Sequence, residues 1–301
     1  MSSLTSFHLI ADGGSTSVKW ALVDAQSEAI RQFRSLPLNP ILHSHQHLEE
    51  RLSSLVADHI VQPSYVRSIR FYGAACGPDQ GQEALRTLFQ RYFPNASIVV
   101  DSDLMAAAVA SYSSGEGVVG ILGTGSNAAY YAGGQLEYLR PSLGFILGDE
   151  GSGAAIGKRV IRDWLYDQLD ASTVEVLHRF HGKQLGIIRS AEGLYNSLPI
   201  VSRVYGGSDP SAFLASFAKT ATEHRDLPYF ATLLQEVMLD FVRYLAYPQS
   251  KGRSASLRLV GSLAERCPNE LSRACREYGL VYEGAIANPI DEMIAQRLWN
   301  E

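Results

Sequence analysis

The chain has 301 residues, enough for about two domains and a substantial core. It is 46% hydrophobic and 19% charged, within the ordinary range of soluble proteins. A formal net charge of −5 leaves it without a basic field, which argues against nucleic acid as a partner.

In chain order, residues 6–36 read as three antiparallel strands, over 6–12, 17–24 and about 29–35. Between the first two lies Asp12-Gly13-Gly14-Ser15-Thr16, a glycine turn with an acid at the end of an apolar run. Glycine removes the Cβ that would hold a ligand off the backbone, and successive N–H groups in such a turn can cradle an anion. Leu48, Leu52, Leu55, Val56 and His59 then recur at helical spacing. A strand over 66–72 follows, and Leu85, Leu88, Phe89 and Tyr92 mark a second helix. Residues 97–100 form a short buried strand, and Ser102 stands ready to cap a small-residue helix over 103–112. Three strands followed by alternating helices and strands make a mixed α/β layer with a hairpin edge.

Residues 113–117, Ser-Ser-Gly-Glu-Gly, are the best boundary. Beyond them the pattern of strand, glycine turn and strand recurs. An apolar run over 118–122 leads into Gly123-Thr124-Gly125-Ser126-Asn127, then into 128–131 and another turn at Gly133-Gly134. Helices dominate from 151 to 248, the longest over roughly 228–247. A strand at 257–260 breaks at Gly261-Ser262, and a helix runs to about Tyr278. A strand near 280–283 and a last helix from Pro289 to Trp299 complete the chain.

Cys76, Cys267 and Cys275 form no even framework and no CxxC, which suggests a reducing compartment. The first residues show no basic stretch followed by a long apolar core, and no run approaches 18 apolar residues. A cytoplasmic protein with no membrane partner is the expectation. Two look-alike motifs fail on inspection. Gly123-x-Gly125-x-x-Ala128 lacks the helix a dinucleotide fingerprint needs, and the segment 151–159 lacks the first glycine and the hydroxyl of a Walker loop. His43, His45 and His47 sit at a polar helix start without an acid or cysteine partner and read as a solvated face.

Four motifs stand in order along nearly the whole chain: 12–16, Leu122-Gly123-Thr124-Gly125-Ser126-Asn127, the stretch from Gly144-Phe145 to Gly148-Asp149-Glu150-Gly151, and Val260-Gly261-Ser262-Leu263-Ala264. Together they resemble those of the sugar kinase, heat-shock ATPase and actin superfamily. Within it they resemble most the BadF/BadG/BcrA/BcrD-type group that includes N-acetylglucosamine kinase. The resemblance implies an α/β fold of two RNase-H-like, actin-like ATPase domains with a nucleotide cleft between them. The domains would cover 1–114, with 287–301 packing back on it, and 115–286 with a helical insertion.

The resemblance further implies ATP with Mg²⁺ as cofactors and an amino sugar as substrate. Gly13, Gly14, Ser15, Thr16, Gly123, Thr124, Gly125 and Ser126 would hold the phosphates, and Gly261 and Ser262 would admit the adenosine. Asp12 would hold Mg²⁺ through waters, since that ion keeps part of its shell. Asp103 is the base by resemblance, touching the sugar hydroxyl, while Asp101 is either metal-side or a support; spacing alone does not rank the two. Asn39, Gly144, Phe145 and Asp149 would contact the sugar, with Glu150 nearby.

One departure stands out. The group's first motif continues Ser-Thr-Lys-x-Asp-Trp, whereas here Ser15-Thr16-Ser17-Val18-Lys19-Trp20 moves the lysine two residues along, which keeps it on the same face of a strand. Lys19 is therefore either a phosphate neutraliser or solvated. Two other functions compete. One is an ATPase that energises a partner, as the dehydratase activators of the same group do with an iron–sulfur cluster at a dimer interface. The other is a nucleotide-binding regulator without turnover. Which hydroxyl is phosphorylated, which amino sugar is taken and whether the chain forms a homodimer all stay open.

Overall fold

A computed structural model of the chain describes residues 6–14, 17–24, 29–77, 81–112, 115–191, 193–253 and 255–297. Ser15 and Thr16 of the first glycine turn and Trp299 lie outside the described residues. Two units divide the chain: residues up to Gly115 with those from Asn288 onward, and Glu116–Ala287.

The first unit begins with β1 (Phe7–Gly13), β2 (Val18–Asp24) and β3 (Ala29–Ser35), then α1 (His45–His59), β4 (Val66–Gly73), α2 (Gln82–Tyr92), β5 (Ser97–Ser102) and α3 (Asp103–Ser111). Its sheet has the order β3-β2-β1-β4-β5, antiparallel through the hairpins and parallel across β1, β4 and β5. Alternate residues Leu9 and Ala11 pack with Trp20, Phe71 and the apolar stripes of α1 and α2 into one core. Burying an aromatic side chain of this kind stabilises by about 1.5–3 kcal/mol. Ser102 accepts from the Met105 N–H at 3.2 Å and so caps α3, an interaction of about 1 kcal/mol.

The second unit runs through β6 (Gly117–Leu122), β7 (Ser126–Ala132) and β8 (Gln135–Glu137). Its helices are α4 (Gly144–Leu147), α5 (Gly153–Leu165), α6 (Ala171–Leu177), α7 (Lys183–Leu185), α8 (Leu198–Gly206), α9 (Pro210–Glu223), α10 (Pro228–Phe241) and α11 (Tyr247–Gln249). Then come β9 (Ser256–Val260), α12 (Ser262–Arg266), α13 (Pro268–Tyr278) and β10 (Val281–Ile286). The sheet order, β8-β7-β6-β9-β10, repeats the first one strand for strand, with the same hairpins and the same parallel pairs. What differs is the connection between third and fourth strands: α1 with a short turn in one unit, a helical insertion in the other.

Two helices end earlier than their periodicity suggests. The expected helix over 228–247 is regular only to Phe241 and widens into a π turn over Val242–Ala246. Pro248 lacks an N–H and would crowd the carbonyl four residues before it, and the widened turn relieves that contact. The last helix, α14 (Pro289–Ala295), packs against α3, β1 and β2 of the first unit. Among the described residues, no helix is long and apolar enough to cross a membrane.

Candidate functional site

In the first unit, register decides which side chains meet. Ser35, Val18, Gly13, Gly73 and Ser102 stand in one row across the sheet, so β1, β3, β4 and β5 all leave it at the same edge. The row just inside that edge holds Arg34, Lys19, Asp12, Tyr72 and Asp101, and paired residues of a sheet share a face. Lys19 is thus the direct cross-strand partner of Asp12. Burial pushes the Asp12 carboxyl above its ordinary range, and the Lys19 ammonium pulls it back.

Asp103 is the first residue of α3 and is half-buried. Burial, with the nearby Asp12 charge second, raises its carboxyl to about 6, against a hydrogen bond of 2.9 Å from the Leu104 N–H. Asp101 is also raised by burial, opposed by the Ser102 N–H at 2.6 Å and by Arg86. The Cys76 thiol is pushed up to about 12 by burial and by Asp103 and Asp101, so it is an inert neighbour of these carboxylates. Asn39 lies in the loop after β3; Pro40 beside it packs so tightly on Gly81 that an added Cβ there would stand 2.3 Å away. Gln82 in turn donates to the Cys76 carbonyl at 2.9 Å. A continuous set of contacts therefore links the Asn39 loop to the residues around Asp101 and Asp103.

The same edge of the second unit carries the other glycine turns. Gly153 and Ala154 at the start of α5 donate to the carbonyls of Gly123 and Thr124 at 2.8 and 3.0 Å. Helix α9 touches α5 almost backbone to backbone, since a Cβ on Gly157 would fall 1.9 Å from the Leu214 carbonyl oxygen. This approach brings Ala215, Ala218 and Lys219 up to the turn. A cavity of about 140 Å³ opens there, closed by Gly123 and Thr124, by those three residues, and by Ser262 and Arg266. Gly261 has φ +124°, and any Cβ would lie 2.4 Å from the Leu122 carbonyl oxygen, so the turn demands glycine.

Asp149 is buried in the left-handed conformation, with φ 56°. Its carboxylate occupies the space that a side chain on Gly125 would need, 2.7 Å from the position of that missing Cβ. Burial raises its pKa, opposed by the Ser126 N–H, the Ser142 hydroxyl at 3.4 Å and Lys158. Gly144 is exposed with φ +70°, and Phe145 is half-buried, its carbonyl accepting from Lys158 at 2.6 Å.

Three expected phosphate contacts are engaged elsewhere. The Gly14 N–H closes its own turn on the Ser17 carbonyl, and the Gly123 N–H closes on the Gly125 carbonyl, both at 3.0 Å. Ser126 is buried with its hydroxyl on the Glu150 carbonyl at 2.7 Å. These groups shape their turns and hold the Asp149 loop; as donors to a phosphate they are spent. Among the described residues no three His, Cys, Asp or Glu side chains converge to hold a metal ion. Asp12 and Asp101 suit Mg²⁺ all the same, because that ion is typically held by one or two carboxylates with waters and phosphate oxygens.

No protein-family model matches the chain. It is 27% identical over 285 residues to glucosamine kinase GspK of Vibrio cholerae, covering 90% of each chain. A Porphyromonas gingivalis crystal structure provisionally named N-acetylglucosamine kinase superposes with a TM-score of 0.85 at 29% identity, over 97% of this chain and 99% of that one. The fold is that of the actin-like sugar kinases. A more distant one, a glucokinase of the ROK family from Streptomyces griseus with glucose and AMPPNP bound, shares the fold at 15% identity and a TM-score of 0.51, over 92% of this chain and 94% of that one. The names of these relatives are amino-sugar and sugar kinases, and the BadF/BadG/BcrA/BcrD-type group is not among them.

Within this sugar-kinase fold, the motif reading missed the residues that only packing delivers. Lys219, Arg266, Ala215 and Ala218 line the cavity, and Arg86 and Tyr72 stand by the carboxylates. One signal was available: Ala212, Ala215, Ala218 and Ala221 recur every third residue of α9, the small-residue stripe of a helix that another backbone approaches closely.

Proposed function

We propose that the chain is an ATP-dependent kinase that transfers the γ-phosphate to a hydroxyl of an amino sugar, N-acetylglucosamine, N-acetylmuramic acid or glucosamine. What supports this reading above all is the group of Asp12, Asp101 and Asp103 at one sheet edge, with Asp103 raised to about 6. A carboxyl of that acidity is ionised at neutral pH yet basic enough to take a proton from an attacking hydroxyl, a contribution of about 10²–10⁴-fold. The relatives named above supply the substrate class.

Asp103 is the base in this mechanism, and Asp12 is the carboxylate that would hold Mg²⁺, with Asp101 beside it. Bound Mg²⁺ supplies neutralising charge for the phosphoryl group being transferred. Lys19 keeps Asp12 ionised and adds positive charge on the same face. In the second unit the cavity between Gly123–Thr124, α9 and Ser262 takes the nucleotide, with Lys219 and Arg266 at its rim. Asp149 accepts from sugar hydroxyls, and Asn39 meets the sugar's nitrogen substituent. A cytoplasmic setting suits an enzyme that draws on ATP.

A cluster-bearing activator asks for thiolates at an accessible surface. Cys76, Cys267 and Cys275 are all buried, with thiols raised to about 12, so that reading gains no support. The deciding experiment is a coupled assay with Mg·ATP over a panel of hexosamines and N-acetylmuramic acid. Sugar-dependent ADP release from at least one is expected; ATP binding without turnover on any would favour the regulator.

A further inference from the structure

Away from the nucleotide turn, α10 and α13 pack side by side and leave a polar groove of about 540 Å³, which shares no lining residue with the nucleotide cavity. Glu270, Arg273 and Arg276 recur every third residue of α13 and so lie along one face of it. Gln235 and Glu236 of α10 line the opposite side, with Arg225 from the turn before that helix. Arg225 is a fixed wall: it donates to the Thr222 carbonyl at 3.1 Å, to the Arg266 carbonyl, and to Glu270 Oε1 at 3.3 Å. Two side-chain atoms of these walls are left over. Glu270 Oε2, an acceptor, and Gln235 Nε2, a donor, are buried, and among the described residues neither meets a hydrogen-bond partner. Buried polar groups are nearly always paired, so an orphaned donor and an orphaned acceptor on one groove mark it out. The charges are uneven as well. Glu236 is paired with Arg159 and Glu270 with Arg225, whereas Arg273 and Arg276 have no carboxylate partner among the described residues.

We propose that this groove binds a hexose phosphate, at a site separate from the catalytic one. The guanidinium groups of Arg273 and Arg276 take the phosphate, whose oxygens match their forked N–H donors. A sugar hydroxyl both donates and accepts, so the hydroxyls of the ring satisfy Glu270 Oε2 and Gln235 Nε2 together. Among the described residues no aromatic ring lines the groove, which leaves a nucleotide base nothing to stack on. Glu236 and Glu270 on the same walls set carboxylates against any ligand carrying negative charge along its length, which favours one compact anion with a neutral polar body. The inference goes beyond the kinase reading and stands without it.

The test is titration calorimetry of the full chain with glucose 6-phosphate and with inorganic phosphate, in wild type, Arg273→Ala and Gln235→Leu. Wild type should bind the sugar phosphate at least about 10-fold more tightly than inorganic phosphate, because only the sugar reaches the orphaned pair. Arg273→Ala removes an exposed side chain, so the fold survives, and it should weaken both probes by about 10- to 100-fold. Gln235→Leu keeps the volume and removes the unpaired donor; it should weaken glucose 6-phosphate by about 10-fold and leave inorganic phosphate unmoved. No saturable binding of glucose 6-phosphate to wild type overturns the inference. So does binding that Arg273→Ala leaves unchanged, since that ligand sits elsewhere on the chain, the catalytic site included. Equal affinity for the two probes overturns the sugar half and leaves a bare anion site. If Gln235→Leu does not fold, wild type and Arg273→Ala decide between these outcomes.

Discussion

Replacing Asp103 by Asn should make the protein far slower and, at neutral pH, more stable. The amide keeps an oxygen for the Leu104 N–H but carries no charge beside Asp12 and no lone pair basic enough to take a proton. A fall in kcat of at least about 100-fold follows, with ATP affinity near that of wild type. The stability effect comes from linkage. The unfolded chain releases this proton near 3.8, whereas the folded chain holds it to about 6. The folded state therefore binds more protons between those values, and wild-type stability falls as pH rises through that window. At 1.36 kcal/mol per decade, the whole difference sets an upper bound of about 3 kcal/mol, and water reaching a half-buried group brings it nearer 1–2 kcal/mol. Urea titrations of wild type and Asp103→Asn at pH 8 and pH 4, with turnover measured in parallel, read both quantities. The variant should gain stability at pH 8 and lose that advantage at pH 4. A variant less stable at pH 8, or one with kcat within 10-fold of wild type, would refute the placement of the base, and Asp101 would be next to test.

The other sites make separable predictions. Lys19→Met removes the charge opposite Asp12, so the Asp12 carboxyl rises further and the acid limb of kcat/KM should move up by about 1 pH unit, with a higher Mg²⁺ requirement; an unmoved limb means Lys19 is merely solvated. Gly125→Ala places a methyl where the Asp149 carboxylate sits and should lower kcat/KM for the sugar by about 10- to 100-fold, more than it lowers kcat/KM for ATP; equal loss for both substrates would count against Asp149 as a sugar contact. Gly261→Ala forces a side chain into φ +124° and against the Leu122 carbonyl, and should cost at least about 2 kcal/mol in a denaturant melt along with weaker ATP binding; an unaltered melt would show that the turn is free to move.

Local signals sufficed for much of the fold. Alternating and continuous apolar runs delimit the strands, Ser102 marks the start of α3, and the repeat of strand, glycine turn and strand at Gly13 and Gly123 anticipates two sheets of one plan. These features depend on neighbours in the chain, which is why a single sequence displays them. The same locality explains the helix that ended early: apolar spacing carried the reading to 247, while the backbone had already to widen ahead of Pro248.

The chemistry was legible only as a set of residue types. Which charge faces Asp12 depends on the pairing of β1 with β2, and Tyr72 enters between Asp12 and Asp101 only through the parallel ladder. That Gly125 yields its space to Asp149, and that α9 presses Ala215 and Lys219 to the nucleotide turn, follows from contacts between segments far apart in sequence. The resemblance made Asn39 a sugar contact; in the fold its Oδ1 is spent on its own turn, on the Ile41 and Leu42 N–H groups. The sequence by itself determined the succession of elements along the chain, the turns and the identity of the acids, because each is written in adjacent residues. Tertiary structure alone decided which groups stay available to a ligand, because a donor or a carboxylate is available only once every closer partner has been counted.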